Sequence, residues 1–209
     1  MISLVVNTAA LAPHADGKLS SGKMPYSWRT YALRNFLLPS YTGDRFFDEV
    51  IVAGVWEDGP GYTYIPVPQE HHSWQDCIAQ RQAGFEASHG DIVIHQHDDH
   101  WVRHIDGLNL AQWIGTAPSQ FDVLTPQRCT RLRNSAGERL NHGEHHYYIG
   151  GHCAVYRREV LERCPWKSVP RVFTMDVEHS RHIREAGFTI GWTDALKVWD
   201  VEYGSTPWR

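Results

Sequence analysis

The densest group of potential ligands in this chain is a run of six residues, His-Gln-His-Asp-Asp-His, from His95 to His100. It follows directly on the apolar segment 92–94, whose β-branched residues predict a buried strand. Imidazole nitrogens suit zinc, whereas carboxylate oxygens suit harder cations such as Mg²⁺ or Mn²⁺. Two chemistries are therefore open for this run: hydrolysis at a zinc site, and binding of a divalent cation together with a phosphate-bearing substrate.

The order of strands and helices predicted around this run indicates an α/β sheet of the doubly wound type. Strands are expected in the first half at residues 2–6, 50–55, 63–67 and 91–95. One helix is expected over 28–38, ended by Pro39, and another after a cap at Ser73. Ligands of such sheets bind beyond the carboxyl ends of the strands, which here means just after Val6, Val55 and Ile94.

The second half is expected to contain the same kinds of element. Strands are predicted at 121–125, 152–156, 188–192 and 196–201, a polar hairpin at 127–140, and helices at 158–163 and 175–186. Gly187 is placed to end the last helix. The chain therefore alternates helices and strands over most of its length.

The composition excludes several classes of protein. The chain has 209 residues, of which 42% are hydrophobic, and this is enough to bury one core and too much for a disordered chain. A net charge of −4 gives no overall positive field toward nucleic acid or anionic lipid. No apolar run is long enough to span a bilayer, and the four cysteines form no CxxC pair. We expect a reduced, soluble, cytoplasmic protein.

The segment 81–99 resembles the family 2-like glycosyltransferases of the GT-A fold. That family has Arg-Asn-x-Gly, then Ala-x-x-Gly-Asp, a buried strand and an acidic DxD-type motif. Here Gln82 replaces the Asn and His97 replaces the first acid, while Asp98 and Asp99 stand where the remaining acids belong. The resemblance implies that Asp99 binds Mn²⁺ or Mg²⁺, and that Asp98 faces the ribose or shares the ion.

Two later segments resemble the same family. Gly150-Gly151, followed by a predicted strand and Arg-Arg-Glu-Val-Leu, looks like the segment whose backbone comes close to the sugar. The segment 175–188 resembles Glu-Asp-x-(Asp/Glu)-x-x-x-Arg-x-Arg-x-(Ala/Gly)-Gly-Tyr, and it places Asp176 on the general base of inverting members. A carboxylate suits that role because it can take the proton of an acceptor hydroxyl.

The resemblance also implies the remaining site residues and the substrates. It assigns Asn7, Thr8, Glu57, Asp58 and Arg81 to the nucleotide and its phosphates, and Asp200 to a third position on the metal. It implies one domain over 1–209, with the nucleotide-sugar half in 1–100 and the acceptor half in 101–209. The donor would be a nucleotide-diphosphate sugar, a UDP-sugar in the first instance. The acceptor stays open among a glycan, a small molecule, a protein and a modified nucleic acid.

Two alternatives stay open beside the glycosyltransferase interpretation. The run at 95–100 also matches HxHxDH, the zinc signature of the metallo-β-lactamase superfamily. Its ligands would be His95, His97, Asp99, His100 and His152. In that superfamily a β-rich layer precedes the motif, whereas residues 73–89 predict a helix. The other alternative is a module that binds a nucleotide sugar without catalysing transfer.

Overall fold

The computed structural model describes residues 1–8, 26–69, 74–104, 121–129, 149, 153–167 and 175–200. Within these ranges eight strands form a single sheet. They are β1 (Ile2–Thr8), β2 (Glu49–Gly54), β3 (Thr63–Pro66), β4 (Ile92–His97), β5 (His100–His104), β6 (Val123–Cys129), β7 (Cys153–Arg157) and β8 (Ile190–Asp200). Their order across the sheet is β3-β2-β1-β4-β7-β6-β8-β5.

The sheet is mixed, with its parallel part at the start of the chain. Strand β1 runs parallel to both β2 and β4, and β3 runs parallel to β2. Strand β7 is antiparallel to β4 and β6, β6 is parallel to β8, and β5 is antiparallel to β8. The expected α/β sheet is thus confirmed, and it is mixed and mostly parallel. The two strands predicted at 188–192 and 196–201 are one continuous strand, β8.

Helices cover both faces of the sheet. They are α1 (Tyr26–Ala32), a π-helical segment (Leu33–Leu37), α2 (Leu38–Thr42), α3 (Trp74–Ala87), α4 (Arg158–Arg163) and α5 (Met175–Glu185). The prediction that Pro39 ends the first helix is wrong, because Pro39 lies in the first turn of α2. A proline is tolerated there because the first backbone N–H groups of a helix have no partner within it. No helix in the described ranges is long and apolar enough to cross a membrane.

Alternating residues of the central strands feed two hydrophobic cores. Leu4 and Val6 of β1 pack in one core with Leu33, Leu37 and other residues of the helical stretch 26–42. Val5, between them, packs in the other core with residues of α3, α4 and α5. This alternation is the period of two that a strand imposes, and it explains why β1 is apolar on both faces.

The carboxyl ends of β1 and β4 place the polar residues of interest side by side. Strand β4 runs to His97, two residues further than the sequence predicted, and β5 begins at His100. Only Asp98 and Asp99 remain as the turn between them, and we call this pair the acid turn. The register pairs Asn7 of β1 with His97, so the polar end of β1 lies beside the acid turn.

Gly84 sets how closely α3 approaches the sheet, which gives a stability prediction. A Cβ at Gly84 would overlap Cγ1 of Val5 and crowd Cβ of Ala53. Gly→Ala inside a helix normally stabilises by up to about 1 kcal/mol, but overpacking costs about 1–3 kcal/mol. We expect Gly84→Ala to lower the free energy of unfolding, measured by urea denaturation.

The double variant Val5→Ala/Gly84→Ala is the control for this cause. Because Val5→Ala removes Cγ1, Gly84→Ala should lower the free energy of unfolding less in the Val5→Ala protein than in the wild type. Equal destabilisation in both backgrounds would show that the contact with Val5 does not set the approach of α3.

Candidate active site

The acid turn is held by groups from three different elements: β1, α1 and β5. Thr8, at the end of β1, donates its hydroxyl to Asp98 Oδ2 at 2.8 Å. Arg29 of α1 spans both carboxylates, with Nη1 at 3.1 Å from Asp98 Oδ1 and Nη2 at 2.6 Å from Asp99 Oδ2. The remaining oxygen, Asp99 Oδ1, lies 2.6 Å from His100 Nδ1. The side chain of Asp98 is 2% exposed and that of Asp99 20%, so Asp99 is the more accessible of the two.

His97 connects the acid turn to the opposite face of the sheet. Its Nε2 lies 2.9 Å from Arg81 Nη2, and its Nδ1 lies 3.0 Å from the side-chain amide of Asn7. Burial, followed by the charge of Arg81, lowers the pKa of His97 well below its ordinary value. A guanidinium only donates hydrogen bonds, so Nε2 of the neutral His97 ring accepts one from Arg81.

Arg81 of α3 joins His97 to Asp176, the predicted base. Its Nη1 lies 3.4 Å from Asp176 Oδ1, in the first turn of α5. The side chain of Arg81 is 2% exposed, whereas that of Asp176 is 29% exposed and can meet a substrate. Burial raises the pKa of Asp176, and the charge of Arg81 lowers it in part. The fold thus brings together six groups that the sequence suggested from distant segments: Asn7, Thr8, Arg81, His97, the acid turn and Asp176.

A further contact anchors α5 to the chain just before the predicted Gly-Gly turn. The backbone N–H of Ile149 donates to Ser180 Oγ at 2.8 Å, and the Ser180 hydroxyl donates to the backbone carbonyl of Asp176. Gly150 and Gly151 themselves lie outside the described residues. The residue that precedes them is nevertheless fixed one helical turn from the predicted base.

Three other predicted site residues lie outside this set of contacts. Glu57 follows β2 and accepts two hydrogen bonds from Arg34, at 2.9 and 2.6 Å. Asp58 accepts one from the backbone N–H of Gly59. Neither of them contacts the acid turn in the hydrogen bonds described here. Asp200 is the last residue of β8, and its backbone pairs in register with His100, next to the acid turn.

The ring of Trp166 packs against the guanidinium of Arg81, a contact that sequence reasoning missed. The guanidinium lies 4.5 Å from the ring centre of Trp166, and that ring stacks on His179 at 3.7 Å. The indole N–H of Trp166 donates to His95 Nδ1 at 3.1 Å. Cation–π contact in a buried setting is favourable, so Trp166 helps to hold Arg81 between His97 and Asp176.

Arg29 is the most important functional residue that sequence reasoning missed. It lies four residues before Leu33, which is fully buried against the sheet, so both fall on the core-facing side of the helix. A charged residue on such a face requires an oppositely charged partner in the core. That rule could have linked Arg29 to the acid turn. Nothing comparable in the sequence indicates the place of Trp166.

The acid turn fits a hard divalent cation by its chemistry. It offers adjacent carboxylate oxygens, the donors that Mg²⁺ and Mn²⁺ prefer. In the part of the chain that the structure describes, no group of three or more His, Cys, Asp or Glu side chains could hold a metal ion. A cation at Asp99 would therefore take further ligands from water and from phosphate oxygens, as Mg²⁺ usually does.

The zinc alternative does not agree with the described geometry. His95 lies on β4 and packs against Trp166, while His97 has Arg81 and Asn7 at its two ring nitrogens. Helix α3, rather than a β-rich layer, precedes the motif. Since the described ligands of that alternative do not surround a common point, the run is not arranged as a zinc site there. His152 lies outside the described residues.

Comparison with known proteins gives a likeness of structure alone. No protein-family model and no curated protein matches the sequence. A solved structure of residues 1–349 of TarS from S. aureus matches 94% of this chain, with a TM-score of 0.53 and 11% identity. Another TarS structure matches 95% of it, with a TM-score of 0.54 and 11% identity. TarS is a GT-A-type glycosyltransferase. This chain has the GT-A fold.

The GT-A fold of this chain corresponds to only part of each TarS structure. The chain spans 59% of the shorter TarS chain and 36% of the longer one. At 11% identity the shared feature is the arrangement of the sheet and its helices. Within that GT-A arrangement, the acid turn, Arg81 and Asp176 form the candidate active site.

The contact between Arg81 and Asp176 gives a prediction about ionisation. Because Arg81 lowers the pKa of Asp176 against the effect of burial, Arg81→Met should raise that pKa further. We expect the change in a ¹³C NMR titration of the Asp176 carboxyl group. Arg81→Lys keeps the positive charge and should leave the pKa closer to that of the wild type. An unchanged or lower pKa in Arg81→Met would contradict this account of the site.

Proposed function

We propose that the protein is a metal-dependent, inverting glycosyltransferase that moves a sugar from a nucleotide-diphosphate sugar to an acceptor hydroxyl. The observation that supports this most is the series of contacts from Asp176 to Arg81 and from Arg81 to His97, the residue that directly precedes the acid turn. It puts a candidate base and a candidate phosphate-binding centre into one continuous site. The acid turn lies where the parallel strands β1 and β4 end, which is where sheets of this type bind ligands.

Asp176 is proposed as the general base. Its partly exposed carboxylate takes the proton of the acceptor hydroxyl while that oxygen bonds to the anomeric carbon of the sugar. The bond from that carbon to the diphosphate breaks on the opposite side, which inverts the configuration. Burial makes Asp176 a stronger base than an ordinary aspartate, and Arg81 limits the rise in its pKa.

The acid turn is proposed to serve the donor. Asp99, with Asp98 beside it, would hold Mn²⁺ or Mg²⁺, and Asp200 is the candidate for a third ligand because β8 ends next to His100. The cation would supply charge neutralisation on the diphosphate. Gly150 and Gly151 are proposed to line the sugar.

The nucleotide is proposed to lie along the ends of β1 and β2. Asn7, Thr8, Glu57 and Asp58 are its candidate contacts. Thr8 fixes Asp98, and Asn7 lies beside His97, so both also shape the phosphate-binding end of the site. Glu57 and Asp58 follow β2 at the same edge of the sheet. A UDP-sugar is the first donor to test.

Binding of the donor nucleotide is tested by thermal unfolding. The panel is UDP, GDP, CDP and dTDP, each with Mn²⁺, with Zn²⁺ or with EDTA. A ligand at 100 times its dissociation constant stabilises the fold by about 2.7 kcal/mol, which raises the midpoint by several degrees. We expect one nucleotide to raise it with Mn²⁺ and not with EDTA. Stabilisation by Zn²⁺ alone, with no response to any nucleotide, would contradict the proposal.

The role of Asp176 is tested by a matched pair of variants on α5. Asp176→Asn keeps the shape of the side chain and removes the base, so sugar transfer should fall by about 10²–10⁴-fold while nucleotide binding stays. The control is Glu178→Gln, since Glu178 is partly exposed and pairs with Arg181 rather than with Arg81. Release of the nucleoside diphosphate from the donor measures turnover. Nucleotide binding without turnover in the wild type, unchanged by Asp176→Asn, would instead indicate a binding module.

A further inference from the structure

The oxygens offered to a cation by the acid turn are already hydrogen-bonded within the protein. Asp98 accepts a hydrogen bond from Thr8 on one oxygen and from Arg29 on the other. Asp99 accepts one from Arg29 on one oxygen and from His100 on the other. The guanidinium of Arg29 thus lies across both carboxylates in the manner of a bound cation. Its side chain is 10% exposed, so this ion pair is shielded from solvent.

Arg29 and a divalent cation compete for the same oxygen of Asp99. Asp98 is almost fully buried, which leaves Asp99 as the carboxylate that an entering ion can reach. Arg29 Nη2 lies 2.6 Å from Asp99 Oδ2. A small divalent cation binds a carboxylate oxygen at about 2.0–2.2 Å, and a second positive group at the same oxygen would repel it. A cation bound to Asp99 Oδ2 would therefore displace the guanidinium from that oxygen.

We propose that Arg29 is a built-in competitor of the divalent cation at Asp99. In the free protein its guanidinium offsets part of the negative charge of the acid turn and keeps affinity for the cation alone low. The cation binds well only when a diphosphate arrives with it, because the phosphate oxygens supply ligands to the ion and a bidentate partner to the displaced guanidinium. The proposed function enters this inference only through the choice of a divalent cation and a diphosphate.

The test measures Mn²⁺ binding to the full chain without any nucleotide, by calorimetry. We expect Arg29→Gln to lower the dissociation constant for Mn²⁺ by about tenfold or more, since a charged competitor is removed. The control Arg163→Gln also removes one positive charge, from an exposed arginine paired with Glu159, and should leave the constant unchanged. In Arg29→Gln/Asp99→Asn the gain should disappear, which assigns it to Asp99.

The outcomes separate this inference from the proposed function. Equal or weaker Mn²⁺ binding in folded Arg29→Gln overturns it, as does a gain that persists without the Asp99 carboxylate. If Arg29→Gln does not fold, the same measurement of Mn²⁺ binding on Arg29→Lys tests the inference. An ammonium cannot span both carboxylates, so Mn²⁺ should bind several-fold more tightly than in the wild type, and equal or weaker binding overturns the inference. Sugar transfer with no effect of Arg29 on Mn²⁺ binding would leave the proposed function standing.

Discussion

The balance of charge at the end of β4 is the constraint on which the candidate site depends. Asp98 and Asp99 follow β4 at a place with little access to solvent. Carboxylates in such surroundings are tolerated only when they are paired with positive or hydrogen-bonding groups. Arg29 reaches them from the helix on one face of the sheet, and Arg81 reaches the adjacent His97 from the helix on the other. Removing one member of such a buried pair commonly costs about 3–5 kcal/mol. Helices on both faces are therefore tied to the end of β4, one through Asp98 and Asp99 and the other through His97.

The same arrangement explains the protonation states in the site. Burial would raise the pKa of Asp99, but His100 and Arg29 outweigh it and hold that pKa well below its ordinary value, so Asp99 is ionised. Burial raises the pKa of Asp176, and among the residues that the structure describes Arg81 is the positive group that partly opposes this rise. Two carboxylates whose surroundings move their pKa values in opposite directions are suited to different roles. Asp99 is suited to hold a positive charge, and Asp176 to accept a proton.

Much of the fold could be predicted from the sequence, because continuous apolar runs identify buried parallel strands. Residues 2–6 and 50–55 became β1 and β2 with small changes at their ends. The polar end of β4 was harder, since the strand was predicted to end at His95 and His97 was assigned to the loop that follows. Both histidines lie on the strand, where their rings find hydrogen-bonding partners on the α3 side of the sheet. The partner is Trp166 for His95 and Arg81 for His97. A linear pattern does not contain those tertiary partners.

The candidate site was predictable where chemistry and position coincide in the sequence, and not where a partner comes from elsewhere. Asp99 and Asp176 stand out as carboxylates beside a buried strand and at the start of a helix. Arg29 does not, because its role depends on the helix packing over the end of β4 rather than on any neighbour in sequence. Long-range ion pairs of this kind link segments about 70 residues apart, and only the fold shows them.

The central claim is that a nucleoside diphosphate binds at the acid turn, and histidine side chains report on it directly. The measurement is NMR of isotope-labelled histidine rings during titration with UDP and Mg²⁺. His97 and His100 lie at the acid turn, whereas His89 is exposed near the opposite end of β4 and pairs with Glu49. The account predicts that the ring resonances of His97 and His100 shift while those of His89 stay in place. Saturable binding that leaves His97 and His100 unchanged would contradict it.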